Sequence, residues 1–195
     1  MVCERRQRVG FALAVIGFLG AITVCALPMW KFKVFFGKTV TEPLIWEGLW
    51  MYCVVKSTGE MQCKRYGFNY VLPPDLQVAR ALMVIAIIAA VVGIILGISA
   101  GKCTNFVKDP RAKVRVAIAA GIVFICAGIL ILITVSWSAY TISTGRNYLQ
   151  TMNAATDLGI ALLFGWGTTV LLILGGALLC SSCSSKGLSS STKKE

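Results

Sequence analysis

Apolar and polar positions divide the chain into four long apolar runs, of about Val9–Leu27, Ala81–Ala100, Val114–Val135 and Leu158–Leu179. At 1.5 Å per residue, each is long enough to cross roughly 30 Å of hydrocarbon as a helix. The first run follows Arg5, Arg6 and Arg8, as in a secretory signal. It is too long for a typical signal core and leads into a cysteine-bearing segment, so an uncleaved first span is expected. Small residues recur inside the runs: Gly93 and Gly97, Ala117 and Gly121, Gly175 and Gly176. In lipid such positions let helix backbones approach. Gly93–Gly97 fits a dimerisation face or, as the simpler expectation, packing within one four-helix bundle.

Between the first two runs the period changes from helical to alternating. Trp30, Phe32, Val34 and Phe36 fall on one face of a strand, and Lys31 and Lys33 on the other. Further strands are predicted from about Trp50 to Val55 and from Met61 to Tyr66. Lys56-Ser57-Thr58-Gly59-Glu60 separates them, a turn composition that makes the pair an antiparallel hairpin. Cys53 and Cys63 then face each other across it. Outside the cell they oxidise, and closing so short a loop contributes about 2–3 kcal/mol. Pro73-Pro74-Asp75 marks the N-terminus of a second helix that begins before its apolar run. Arg80 then lies near the outer membrane border, either snorkelling outward or holding loop carbonyls.

Composition agrees with lipid as the main solvent. Of 195 residues, 57% are apolar and only 14% charged, against about a quarter charged in an ordinary soluble domain. Net charge is +11, and its placement excludes nucleic acid as the partner. The cations collect before the first run, between the second and third (Lys102, Lys108, Arg111, Lys113, Arg115) and after the fourth (Lys186, Lys193, Lys194). The positive-inside rule therefore places both termini in the cytoplasm, with extracellular loops at about 29–78 and 138–157. The domain runs over 1–185, followed by a short irregular tail over 186–195. Histidine is absent, and no nucleophile, acid–base pair or metal set assembles from local spacing. Neither an enzyme nor a cofactor is implied. No ionisable group interrupts the spans, which argues against transport through the bundle. Cys103, Cys180 and Cys183 border the cytoplasmic side and are candidates for palmitoylation. A zinc reading of Cys180 and Cys183 lacks a second ligand pair. Cys25 and Cys126 lie inside spans as small packing residues.

A series of motifs then resembles the claudin family over nearly the whole chain except the distal tail. Trp30, Gly48-Leu49-Trp50, Cys53 and Cys63 follow its W…GLW…C…C pattern in order and spacing. Ile45-Trp46-Glu47 resembles the barrier-forming members, as do Gln62-Cys63-Lys64, Asp75-Leu76-Gln77 with Arg80, Gly101-Lys102-Cys103-Thr104-Asn105, Val135-Ser136-Trp137 and Gly165-Trp166. The resemblance implies an α+β membrane protein, a left-handed bundle of four transmembrane helices beneath an antiparallel β-sheet built from both extracellular loops. It also implies assembly with other claudins, in the same membrane and the opposing one, into tight-junction strands that seal or selectively pierce the gap between cells.

By the same resemblance, Trp30, Gly48, Leu49 and Trp50 anchor the loops at the membrane border. Lys64, just after the second loop cysteine, occupies the family's charge-selectivity position, with Arg65, Lys31 and Lys33 adding positive charge. A cation beside a narrow aqueous path repels cations, so a cation barrier or a weakly anion-preferring path is expected. Assembly contacts fall on Phe68, Asn69, Tyr70, Arg146, Asn147, Tyr148 and Leu158. Here the sequence departs from the family: Arg146 and Asn147 replace the aromatic pair of the second loop, and Asn69 replaces its apolar knob. Losing a buried apolar partner removes roughly 1.5–3 kcal/mol, so strands are expected to need a co-assembling claudin unless Phe68, Tyr70 or Tyr148 substitutes. The second loop lacks the Asn-Pro associated with enterotoxin binding. The terminal Tyr-Val read by PDZ scaffolds is also missing. The competing reading is a claudin-like auxiliary subunit of a channel or receptor.

Overall fold

The computed structural model describes the backbone of residues 2–35, 44–56, 59–67, 73–101, 110–150 and 154–191, and side chains over 5–34, 44–56, 59–67, 73–101, 111–145 and 157–181. Helix α1 spans Val2–Ala26, α2 Pro74–Ala100, α3 Pro110–Gln150 and α4 Ile160–Ser191. All four contain a stretch long and apolar enough to cross a membrane. The strands are β1 (Lys31–Phe35), β2 (Leu44–Glu47), β3 (Met51–Val55), β4 (Met61–Arg65) and β5 (Ala154–Leu158). The result is a helical bundle carrying one antiparallel sheet of order β4-β3-β2-β1-β5.

Helix α1 lies along α4, α4 along α3, and α3 along α2. Small residues set these approaches. A side chain at Gly121 would meet the Gly176 carbonyl, and one at Gly175 the Gly10 carbonyl. Gly93 lies against the Phe124 ring and Gly97 against Phe11, so both serve packing inside the bundle. Ala14, Ala86, Ala90, Ala120 and Ala127 are buried beside Phe124, Met83, Ile131 and Leu172, an interleaving of small and large that fills the interior. The buried Thr134, Thr168 and Thr169 donate their hydroxyls to carbonyls four residues earlier, which removes the cost of placing them in an apolar interior. Pro74 and Asp75 open α2 as expected, since proline lacks only an N–H that the first turn leaves unused and aspartate offsets the helix dipole.

Alternation and turn composition placed three strands correctly, but two more exist among the described residues. Leu44–Glu47 forms β2 between β1 and β3. Four residues are too few to display a period. Ala154–Leu158, split in the sequence between a loop and the fourth apolar run, forms β5 along β1. Leu158 therefore belongs to the sheet, and helix α4 starts only at Ile160. Much of the segment read as a second loop is helical, because α3 continues to Gln150. Helix α4 likewise continues to Ser191, into the segment read as an irregular tail. Propagating an existing helix costs far less than starting one.

Candidate functional site

The turn between β2 and β3 is Gly48-Leu49-Trp50 itself, closed by the Gly48 N–H donating to the Met51 carbonyl at 2.9 Å. It plugs into the end of the bundle that carries the sheet. Leu49 is fully buried, and Trp30 is almost so. The Trp30 indole donates to the Val24 carbonyl at 2.8 Å, satisfying the one polar atom its burial would strand. The backbones of the knot touch. A methyl group at Gly48 would collide with the Pro28 Cα and the Leu27 carbonyl, and one at Gly159 with the Met29 carbonyl. Those approaches admit the bonds that bind the segments: Trp30 N–H to Glu47 carbonyl (3.0 Å), Gly159 N–H to Trp30 carbonyl (2.9 Å) and Ala161 N–H to Met29 carbonyl (3.1 Å).

Arg80 clamps the knot from α2. Of its two sequence-level options, it holds a carbonyl: its Nε donates to Leu49 at 2.5 Å. Its guanidinium lies 5.0 Å from the Trp50 ring centroid and 5.3 Å from that of Tyr66. The Tyr66 hydroxyl donates to the Gly48 carbonyl at 3.3 Å, and the Trp50 indole to Cys25 Sγ at 3.3 Å. Nη2 is buried with no hydrogen-bond partner among the described residues, so the aromatic faces carry part of the charge. Trp50 keeps a half-exposed face, as suits a membrane border, whereas Trp30 is enclosed by protein.

Above the knot, strand register divides the charges. Lys31, Glu47, Tyr52 and Lys64 pair in sequence across β1 to β4 and share one face, which alternation gives also to Lys33. Glu47 engages both lysines of β1, Lys33 at 2.5 Å and Lys31 at 3.5 Å. Burial pushes the Lys31 ammonium below its ordinary value, and Glu47 pulls it back only in part. Lys64, on the outermost strand β4, is exposed and has no ion-pair partner among the described residues. Arg65 falls on the opposite face, opposite Met51, together with the Cys53–Cys63 disulfide that joins direct register partners. On that face Phe32 and Trp46 also pack, ring centroids 5.4 Å apart.

Leu158 lies opposite Lys31 on the edge strand β5 and is half-exposed. Phe68, Asn69, Tyr70 and Cys103 lie outside the described residues, as do the side chains of Arg146, Asn147, Tyr148 and Cys183. Cys180 is half-buried and turned toward α3, its thiol 3.7 Å from the Ile118 carbonyl. Sequence reasoning missed Gly159, Tyr66 and Cys25 in the knot and gave Glu47 no role. Only the apolar Leu44-Ile45-Trp46 before Glu47, between Pro43 and Gly48, was a local signal for β2. Among the described residues no group of three or more metal-ligating side chains assembles. The arrangement presents a charged face on a braced sheet, a surface for contact rather than a centre for bond chemistry.

The comparisons agree with this architecture. A model of the PMP-22/EMP/MP20/Claudin family matches residues 7–179. Claudin-4 of Canis lupus familiaris is 51% identical over 179 residues, covering 91% of this chain and 85% of its own length. Human claudin-4 is 48% identical over 179 residues, covering 91% and 86%, and human claudin-3 is 49% identical over 176 residues, covering 89% and 80%. With the braced GLW turn and the disulfide-linked sheet in hand, a match of this length leaves one conclusion: the chain belongs to the PMP-22/EMP/MP20/Claudin family.

Proposed function

We propose that this protein is a structural component of tight-junction strands and restricts cation passage between cells, with a weak preference for anions. It is no enzyme: the claudins it resembles within that family are structural junction proteins. Both termini face the cytoplasm, with the sheet outside, a placement that the flanking cations support. The observation that carries the charge preference is the unbalanced Lys64. Lys31 and Lys33 share Glu47, whereas Lys64 stands exposed two strands away. At a strand spacing of about 4.8 Å that is roughly 10 Å, where salt screens most of the attraction between them. Arg65, on the other face, plays no direct part. Strand growth uses contacts with other claudins in the same and the opposing membrane. With Arg146 and Asn147 in place of an aromatic pair, it depends on a co-assembling claudin.

The test is a dilution-potential measurement in a claudin-deficient epithelial layer expressing this chain. Lys64→Asp is expected to raise sodium permeability relative to chloride, and Arg65→Asp to leave the ratio nearly unchanged. An unchanged ratio for Lys64→Asp would refute the selectivity role. Failure to reach cell contacts or alter resistance at all would favour an auxiliary subunit.

A further inference from the structure

We propose that one face of α3 is a lipid-contact surface that fixes how far the sheet stands from the membrane, with Trp137 and Tyr140 seated in the outer headgroup zone. At helical intervals of three and four, exposed side chains form one stripe of Ile122, Cys126, Ile129, Ile133, Trp137, Tyr140 and Thr144, with the exposed Arg115 two turns before it on the same side of the helix. Its chemistry changes in order along the helix, from a cation through aliphatic residues to two aromatics and then a hydroxyl. Trp137 is 53% and Tyr140 67% exposed, the latter the highest value among the large apolar side chains described. Beyond them, Ser143 and Thr144 donate to the Ala139 and Tyr140 carbonyls and face out.

The occupant follows from length and polarity. Arg115 and Trp137 are 22 residues apart, a rise of about 33 Å, or about 31 Å along the membrane normal at a typical tilt of about 20°. That is the thickness of bilayer hydrocarbon. Tryptophan and tyrosine favour the headgroup level because one end of each ring is apolar and the other polar. A guanidinium at the opposite end suits the inner surface. A second protein would require no such ordered gradient. Cys126 falls midway between the two borders and marks the midplane. The ten residues of α3 beyond Tyr140 then rise about 15 Å above the lipid and lead to β5, so the aromatic pair sets the height of the sheet's edge.

Depth-dependent quenching tests this independently of any junctional role. Full-length protein retains Cys53 and Cys63, with Cys3, Cys25, Cys103, Cys180 and Cys183 replaced by alanine. A small thiol-reactive fluorophore is placed at Cys126 or, in a Cys126→Ala background, at Trp137→Cys or Thr144→Cys. The protein is reconstituted in phosphatidylcholine vesicles carrying nitroxides either near the headgroup or near the chain end. The Cys126 label is expected to be quenched more by the deep nitroxide, the Trp137→Cys label more by the shallow one, and the Thr144→Cys label only by aqueous iodide. Trp137→Leu with Tyr140→Leu should draw the Thr144→Cys label toward lipid, with loss of iodide quenching. An intact Cys53–Cys63 disulfide on non-reducing gels confirms folding. A Cys126 label inaccessible to either nitroxide, as when a second copy covers the stripe, would overturn the proposal. So would an unmoved Thr144→Cys label in the double leucine variant.

Discussion

Arg80→Met isolates what the cationic clamp contributes to the knot, because methionine keeps an apolar stem under Trp50 and Tyr66. It removes the charged donor to the Leu49 carbonyl, worth about 1.5–3 kcal/mol. It also removes two cation–π contacts of about 0.5–1 kcal/mol each. Against these, the buried unpartnered Nη2 disappears, which returns about 1–3 kcal/mol. The balance is a loss of about 2 kcal/mol, equivalent to an approximately 30-fold larger population of the opened knot. Cys25 reports that opening. It is buried beneath the Trp50 indole, which donates to its sulfur, so a thiol reagent reaches it only when the turn lifts. In detergent-solubilised protein whose only free thiol is Cys25, with dye dilute enough that the knot recloses faster than it is labelled, Arg80→Met is expected to raise the labelling rate about 30-fold. Arg80→Lys, which keeps the charge and loses the planar fork, should fall between. Gly48→Ala, which collides with Pro28, serves as the positive control. If Gly48→Ala accelerated labelling while Arg80→Met did not, the clamp would have no part in holding the knot.

Gly159→Ala should lower thermal stability by more than 1–3 kcal/mol, the usual range of overpacking, because the methyl group meets backbone at Met29 that cannot rotate away. Gly145→Ala, in open space, should cost little, and the pair can be compared by cell-surface yield and melting in detergent. Cys63→Ser is expected to destabilise by about 2–3 kcal/mol through loss of the short cross-strand closure, seen as a lower melting temperature alongside free Cys53. Lys31 predicts a pH effect of definite sign. Its folded-state pKa lies below the ordinary 10.5, so between the two values the unfolded chain holds a proton that the fold releases. Stability should therefore rise as pH climbs through that interval, and Lys31→Met should flatten the rise in a series of melts from neutral pH upward.

Much of this architecture was legible from local pattern. Apolar runs located the spans, and local pattern at Lys31–Phe35 and around Cys53 and Cys63 located three strands and the pairing of the two that carry the cysteines. What escaped notice was short or non-local. Leu44–Glu47 has only four residues, and Ala154–Leu158 gains its strand character from pairing with β1, which lies far away along the chain. The split between Lys64 and Arg65 follows from alternation, but nothing in the sequence shows that Glu47 already occupies the two lysines of β1. That depends on which strands become neighbours.

The sequence alone determined the number of spans and the cystine-closed hairpin, because hydropathy and cross-strand spacing act within a few residues. Tertiary structure decided what braces the sheet and which lysines of its charged face Glu47 engages. Gly48 and Gly159 matter for the backbones they let touch, and Arg80 for a carbonyl 31 positions before it. Contacts of that kind exist only after the chain has closed on itself, when distance in space no longer follows distance along the chain.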